Sequence, residues 1–315
     1  MKYSILAALL AVSLCAPLPA VAQCPSGVIG YWPMDGDGTE QVNSIPGSVV
    51  GVASFVPGVV GQAVDLDGDG AYVDSGVSPE LSDFGGHQMS LAAWVYREAA
   101  PPSPVLADGY GAVITARTFC NEGNWQLYGY LGNNVYYSKW LDGDEDQVFS
   151  GAALPLGTWT HVAVTYSSNE VRFYVNGAFF DSVTPLVFGG AINDEAQNVQ
   201  VGWDSCSSYW SGRLDEVAIY NVTLTAAEVA DLYQKGLDGV SLCVDDEDGD
   251  GVIDDADLCP FTTGTALIDG CDCEQILAFK PGENAGERPD NCGNGTLNVF
   301  SRRIGWAKDV PRPPS

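Results

Sequence analysis

The dipeptide Asn176-Gly177 directly follows the run Val171 to Val175 (V-R-F-Y-V). It is the strongest short hairpin signal a chain can carry, because a two-residue turn between antiparallel strands needs positive φ at both positions. The rest of residues 25 to about 236 reads the same way, rich in Gly, Val, Tyr and Trp, poor in helix formers, with short alternating runs broken by turns. Strands are expected at Ser90 to Tyr96, Trp159 to Tyr166, Gly30 to Pro33, Ala63 to Leu66 and Ala71 to Val73. Further ones are expected at Gly111 to Ala116, Trp125 to Tyr130, Val199 to Gly202 and Leu214 to Tyr220. Ten or more short strands, often apolar on both faces, predict a mostly β chain folded as a two-sheet antiparallel sandwich. One short helix is expected, capped by Thr225 with Glu228 completing a capping box, with Val229, Leu232 and Tyr233 on one face and Gly236 as its stop.

A different logic governs the segment between Cys243 and Cys259, where eight carboxylates fall between Asp245 and Asp257. Like charges at that density repel one another unless a hard divalent cation neutralises them. Oxygen donors recur at calcium-loop spacing: Asp246, Asp248, Asp250, Asp254 and Asp257, with Gly251 at the sharp turn and Val252 offering its backbone carbonyl. No apolar-periodic helix precedes Asp246, so a calcium loop without flanking helices is expected; the alternative is a solvated acidic linker. The run from Asp246 to Pro260 resembles one thrombospondin type 3 repeat, which implies structural calcium in place of a hydrophobic core.

Lys2, the apolar run Ile5 to Leu14 and Ala20-Val21-Ala22 fit a signal peptide cleaved after Ala22, which implies export to a secreted, extracellular or cell-surface location. Removing Cys15 with it leaves eight of the nine cysteines: Cys24, Cys120, Cys206, Cys243, Cys259, Cys271, Cys273 and Cys292. An even number in an exported chain reads as disulfides, with Cys120 to Cys206 the best single pairing. The expected organisation is a signal peptide at 1–22, a sandwich domain at 23–240, a calcium repeat at 241–262 and a small Cys-rich region at 263–315. In that last region a short helix is expected at Glu274 to Phe279.

The sandwich segments resemble laminin G-like, or concanavalin A-like, jelly-roll domains. The resemblance runs through Gly30 to Gly36 (G-Y-W-P-M-D-G), Gly61 to Gly68 (G-Q-A-V-D-L-D-G), Met89 to Trp94, Leu156 to Tyr166 and Val175 to Gly177. It ends in Ser211 to Tyr233, which contains L-D-E-V-A-I-Y-N, and covers roughly two-thirds of the chain. What it implies is a jelly roll that binds glycans, proteins or surfaces, often with calcium; the same scaffold also carries glycanases. The resemblance further implies a structural calcium between the Asp67-Gly-Asp69-Gly turn and Asp215, the alternative being an ordinary turn and an Asp that caps backbone amides. Asp35 and Asp37 form a similar acidic turn.

The chemistry expected is binding. The balance of 41 acidic against 13 basic residues, a net charge of -28, argues against nucleic acid and anionic membranes. A retaining glycanase needs two carboxylates about 5 Å apart on one face. Asp215 and Glu216 are adjacent, and on a regular strand they would face opposite sides. Of the two histidines, His161 reads as a packed core or inter-sheet residue and His87 as surface. The acidic stretch Asp142 to Gln147, with Asp144 and Asp146, is expected as a ligand-facing calcium loop beside Tyr136, Tyr137 and Trp140, whose rings can stack on sugar. Trp203, Tyr209 and Trp210 around Cys206 form a second aromatic candidate, made rigid if Cys206 is bonded.

These readings converge on a secreted, non-catalytic binding or adhesion protein, stabilised by Ca2+, that recognises carbohydrate or an extracellular-matrix or cell-surface ligand. The alternative is a structural surface-display or assembly protein that binds only protein partners, with a glycan-active hydrolase ranked third.

Overall fold

Runs of Val, Tyr, Trp and Ile interrupted every few residues by Gly, Pro, Asn or Asp favour short paired strands over helices. The computed structural model bears this out. It describes residues 24–243 except 83, 85–87, 99–110, 121, 131–133, 142–143, 169, 185–191, 194 and 207, all within the compact unit Gln23–Val244. The first strands are β1 (Val28–Trp32), β2 (Ser48–Val50), β3 (Ala53–Pro57), β4 (Gln62–Asp67) and β5 (Tyr72–Val77). The middle ones are β6 (Gln88–Arg97), β7 (Gly111–Phe119), β8 (Glu122–Tyr130), β9 (Asn134–Leu141) and β10 (Asp144–Phe149). Then come β11 (Trp159–Ser167), β12 (Glu170–Val175), β13 (Ala178–Val183), β14 (Asn198–Val201) and β15 (Ser211–Tyr220), followed by helix α1 (Ala226–Leu237).

Two antiparallel sheets result. One runs β13-β12-β11-β6-β15-β4-β3, with β1 also paired to β15; the other runs β10-β9-β8-β7-β14-β5-β2. Leu91, Ala93 and Val95 of β6 alternate inward with Val162, Val164 and Tyr166 of β11, and with Trp32, Trp125, Phe173 and Trp210 they fill the core between the sheets. The other faces of β6 and β11 carry Ala92, Trp94 and His161, and Trp94 packs against α1 through a stacked ring contact with Tyr233 at 5.4 Å. These strands read as apolar on both faces because one face meets the opposite sheet and the other meets the helix.

The hairpin after Val175 forms as expected, with Asn176 and Gly177 at φ 50 and 75. The capping box of α1 is also present: Thr225 N–H donates to Glu228 Oε2 at 2.7 Å, and the Thr225 side chain accepts from Glu228 N–H. Gly236, expected to end the helix, instead lies inside it. A Cβ there would come 2.3 Å from Trp94 Nε1, so packing against the sheet sets this glycine and the helix runs on to Asp238 and Gly239, at φ 69. Cys120 is bonded to Cys206, and Cys24 to Cys243.

Five strands are absent from the sequence reading: β2, β3, β9, β10 and β13. The clearest correction concerns Asp144 and Asp146, expected in a surface loop. They belong to β10, which pairs with β9 so that Asp146 lies opposite Lys139. Both of those side chains are buried, and the Asp146 charge favours the Lys139 ammonium against the burial that lowers its pKa. Charge compensation across two strands makes an acidic strand viable, and it leaves no hydropathy signal.

Candidate functional site

On one side of β15, β4 pairs with Ser211–Leu214 and β1 pairs with Val217–Tyr220. Between them the register shifts and Glu216 adopts φ 50. This bulge interrupts strict alternation, and Asp215 turns out buried and Glu216 partly buried. Asp215 Oδ2 accepts the N–H groups of Val59 and Val60 at 2.7 and 3.1 Å, while Asp35 Oδ1 accepts that of Gln62 at 2.6 Å. Two carboxylates thus converge on the β3–β4 turn, where a Cβ on Gly61 would come 2.1 Å from Asp35 Oδ1. Asp215 Oδ1 is buried without a hydrogen-bond partner. Burial, with the Asp35 charge adding to it, pushes the Asp215 carboxyl up to about 7. Carboxylate oxygens, one of them orphaned and buried, are the donor type a hard cation takes, and among the described residues no third carboxylate, His or Cys joins them in a metal-holding group.

Glu216 is occupied differently. It accepts from Tyr31 Oη at 2.5 Å and from Leu242 N–H at 3.1 Å, which ties the segment after α1 to the sheet. Burial pushes its carboxyl up to about 8. His161 lies under α1 beside Trp94 and Tyr233, where burial holds it down to about 3 and therefore neutral.

A second cluster lies on the other sheet. Trp203 and Tyr209 stack at 5.6 Å with planes 4° apart, and Tyr72 of β5 lies 4.5 Å from Trp203 and 6.4 Å from Tyr209. All three rings are partly exposed. Asp204, buried between them in sequence, organises the loop: Oδ1 accepts from Cys206 and Ser208 N–H at 3.0 and 2.9 Å, and Oδ2 accepts from Tyr128 Oη at 3.1 Å. Arg117 of β7 pairs with Asp204 at 3.6 Å, and the Cys120–Cys206 bond fixes the loop to the end of β7. Carboxylates border the rings. Burial raises the Tyr72 phenol and Asp74 adds to it; burial raises Tyr209, with Asp204 and Asp69 adding to it.

The expected site residues therefore separate. Trp203 and Tyr209 come together, joined by Tyr72. Trp210 and Tyr137 belong to the inter-sheet core, because each falls on the inward phase of its segment and is closed off from ligand. Trp140 is buried, with the Arg117 guanidinium 4.9 Å from its ring centre. Asp67 and Asp69 do not meet Asp215: Asp67 is opposite Ser211, which puts Asp215 roughly 13 Å further along the strand at ~3.3 Å per residue. Asp67 instead accepts Asp69 N–H at 2.8 Å, an ordinary turn contact. The carboxylate whose charge does bear on Asp215 is Asp35.

Tyr72, Arg117 and Asp204 escaped the sequence reading; only Asp204, next to Trp203, offered a local hint. Asp142, His87, the calcium-loop residues Asp246, Asp248, Asp250, Val252, Asp254 and Asp257, the expected helix at Glu274 to Phe279, and Cys259, Cys271, Cys273 and Cys292 lie outside the described residues. So does the expected signal peptide.

A two-sheet jelly roll with a stapled aromatic loop on one sheet defines a lectin-type or glucanase-type scaffold. The chain belongs to the Concanavalin A-like lectin/glucanases superfamily, which matches residues 67–230. No curated protein matches it. Among solved structures, it is similar to domain 4 of a GH43 extracellular arabinanase from Geobacillus stearothermophilus in complex with arabinotriose. The identity is 19%, over 66% of this chain and 98% of that one, with a TM-score of 0.50. It is also similar to the binding domain of Botulinum neurotoxin serotype G, at 14% identity and TM-score 0.51, over 66% of this chain and 50% of that one. The binding domain of Botulinum neurotoxin DC in complex with SialylT matches at 12% identity and TM-score 0.51, over 67% of this chain and 52% of that one. This chain spans about half of those toxin domains, and at these identities the likeness is one of fold.

Proposed function

We propose that this chain is an exported, non-catalytic binding protein that holds carbohydrate against Tyr72, Trp203 and Tyr209. The observation that carries the reading is that cluster: partly exposed rings fixed in advance by a disulfide and by Asp204, so that little entropy is lost on binding. Aromatic faces take the apolar faces of sugar rings, and neighbouring carboxylates accept from hydroxyl groups. The arabinanase domain solved with arabinotriose and the toxin domain solved with SialylT support a carbohydrate ligand. Asp215, buried, and Glu216, partly buried, are the paired carboxylates a hydrolase reading would need; both are engaged with backbone amides, so a structural role is proposed for both.

Calcium is proposed at two places. In the sandwich Asp35 and Asp215 would hold it against the β3–β4 turn. In the acidic segment Asp246, Asp248, Asp250, Asp254, Asp257 and the Val252 carbonyl would hold it, in the manner of a thrombospondin type 3 repeat. Export is supported by the leader-like residues 1–22 and by the two disulfides, which persist in oxidising compartments. The test is retention of the calcium-loaded protein on a glycan array, repeated with Trp203→Ala and Tyr209→Ala. Loss of retention with unchanged melting supports the reading; retention unaffected by both changes overturns it.

One observation favours the alternative of a protein-binding assembly module. The edge strands β10 and β13 carry Phe149, Phe179 and Phe180 at 42%, 55% and 48% exposure, more apolar surface than an edge normally leaves open. Concentration-dependent association in sedimentation, removed by Phe179→Lys, would support that reading.

A further inference from the structure

The charges around the aromatic cluster narrow the ligand further, and this inference rests on the carbohydrate reading above. The Lys and Arg residues of the sandwich, residues 24–243, are Arg97, Arg117, Lys139, Arg172, Arg213 and Lys235. Each is engaged by other groups of the sandwich. Arg172 pairs with Glu170 at 3.0 Å, Lys235 with Asp231 at 3.6 Å, and Arg213 with Asp65 and Glu98 at 3.6 and 3.1 Å. Arg97 donates to the Leu154 carbonyl at 3.3 Å, and Lys139 is buried over the Tyr166 ring. Arg117 alone reaches the Trp203–Tyr209 loop, and Asp204 neutralises it there.

The groups left around the rings are carboxylates. Asp67 at the end of β4 and Asp69 in the turn that follows are exposed, and Asp74 lies two residues after Tyr72 on β5. The charge of Asp74 reaches the Tyr72 phenol, and that of Asp69 reaches the Tyr209 phenol. A ligand lying on these rings therefore meets acceptors and negative charge, with no guanidinium or ammonium on the described residues to receive an anion. Acidic glycans are bound through Arg or Lys forks, or through a cation. Hydroxyl and amino groups, by contrast, donate to carboxylates.

We infer that the Tyr72–Trp203–Tyr209 platform takes glycans that lack carboxylate and sulfate groups, and rejects acidic ones. The discrimination is electrostatic, so it weakens as salt screens it, over a Debye length of about 10 Å at 0.1 M.

The experiment uses the full chain on a glycan array carrying neutral, amino-bearing and acidic members. It is run at low salt, with calcium and with EDTA, for the unaltered protein and for Asp69→Asn with Asp74→Asn. Signal from neutral or amino glycans at least tenfold above acidic ones, in both media, with the gap narrowed by the double change, supports the inference. Acidic glycans bound as well or better overturn it while leaving the carbohydrate reading intact. Acidic glycans gained only with calcium overturn it too, because the cation then supplies the contact. No glycan of any class retained removes the carbohydrate reading and this inference together. Trp203→Ala assigns any signal to the platform: a charge preference that survives it belongs to another surface and overturns the inference.

Discussion

Trp203 and Tyr209 lie nearly parallel, 4° apart with ring centres at 5.6 Å, across a loop whose middle residue, Cys206, is bonded to Cys120. The stacking and the crosslink are one arrangement, because the bond holds the loop against β7 while Asp204 caps its amides. Replacing both Cys120 and Cys206 by Ser should therefore lower stability by about 2–4 kcal/mol. Glycan retention should fall further than the lost stability accounts for. Urea unfolding and array binding below the transition separate the two effects.

The two tryptophans flanking that loop should respond in opposite ways. Trp210→Ala opens a cavity in the inter-sheet core and should cost about 3–5 kcal/mol. Trp203→Ala removes a partly exposed ring, so its main effect should be on binding. Comparable losses of melting temperature for both would show that Trp203 is also a core residue.

Gly236→Ala offers a test of sign. Helix propensity alone favours Ala by ~1 kcal/mol, yet the added methyl would come 2.3 Å from Trp94 Nε1. Overpacking should win, for a net destabilisation of about 1–3 kcal/mol measured by denaturant. Trp94→Phe in the same background should recover part of it.

Calcium and pH should be linked through Asp215. Without metal its carboxyl titrates at about 7 and that of Glu216 at about 8, both above the ordinary unfolded values near 4. The folded state then holds the proton more tightly. Their contribution is complete below about pH 4 and is lost as pH rises through 7 and 8. His161, held to about 3 by burial, acts in the opposite sense: its contribution is present above about 6.5 and is lost as pH falls toward 3. Between about pH 6.5 and 8.5 the carboxylates dominate, so in EDTA stability should fall across that window by on the order of 2 kcal/mol. Calcium should flatten the slope, and Asp215→Asn should reduce it. A slope indifferent to calcium would remove the Asp35–Asp215 site.

Much of the architecture is legible locally. The Asn176-Gly177 hairpin, the Thr225 and Glu228 capping box and the central strands β6 and β11 each follow from neighbours within a few residues, where backbone preference and period act directly. Strands β9 and β10 leave little local signal, because the buried Asp146 is compensated by Lys139 on the adjoining strand, a relation no window along the chain displays. Gly236 misled for a related reason: its cause is Trp94, far away in sequence.

By itself the sequence determined the class of fold, the hairpin and the helix cap, and it made Cys120 with Cys206 the best single pairing, which the structure contains. Only the tertiary structure decided which acids and which rings meet: Asp35 rather than Asp67 beside Asp215, and Tyr72 with Trp203 and Tyr209 while Trp210 turns inward. The physical reason is that alternation assigns residues to faces, whereas strand order and a single bulge at Glu216 decide which faces and ends come together. Those are set by packing summed over the whole sandwich, and no local segment encodes them.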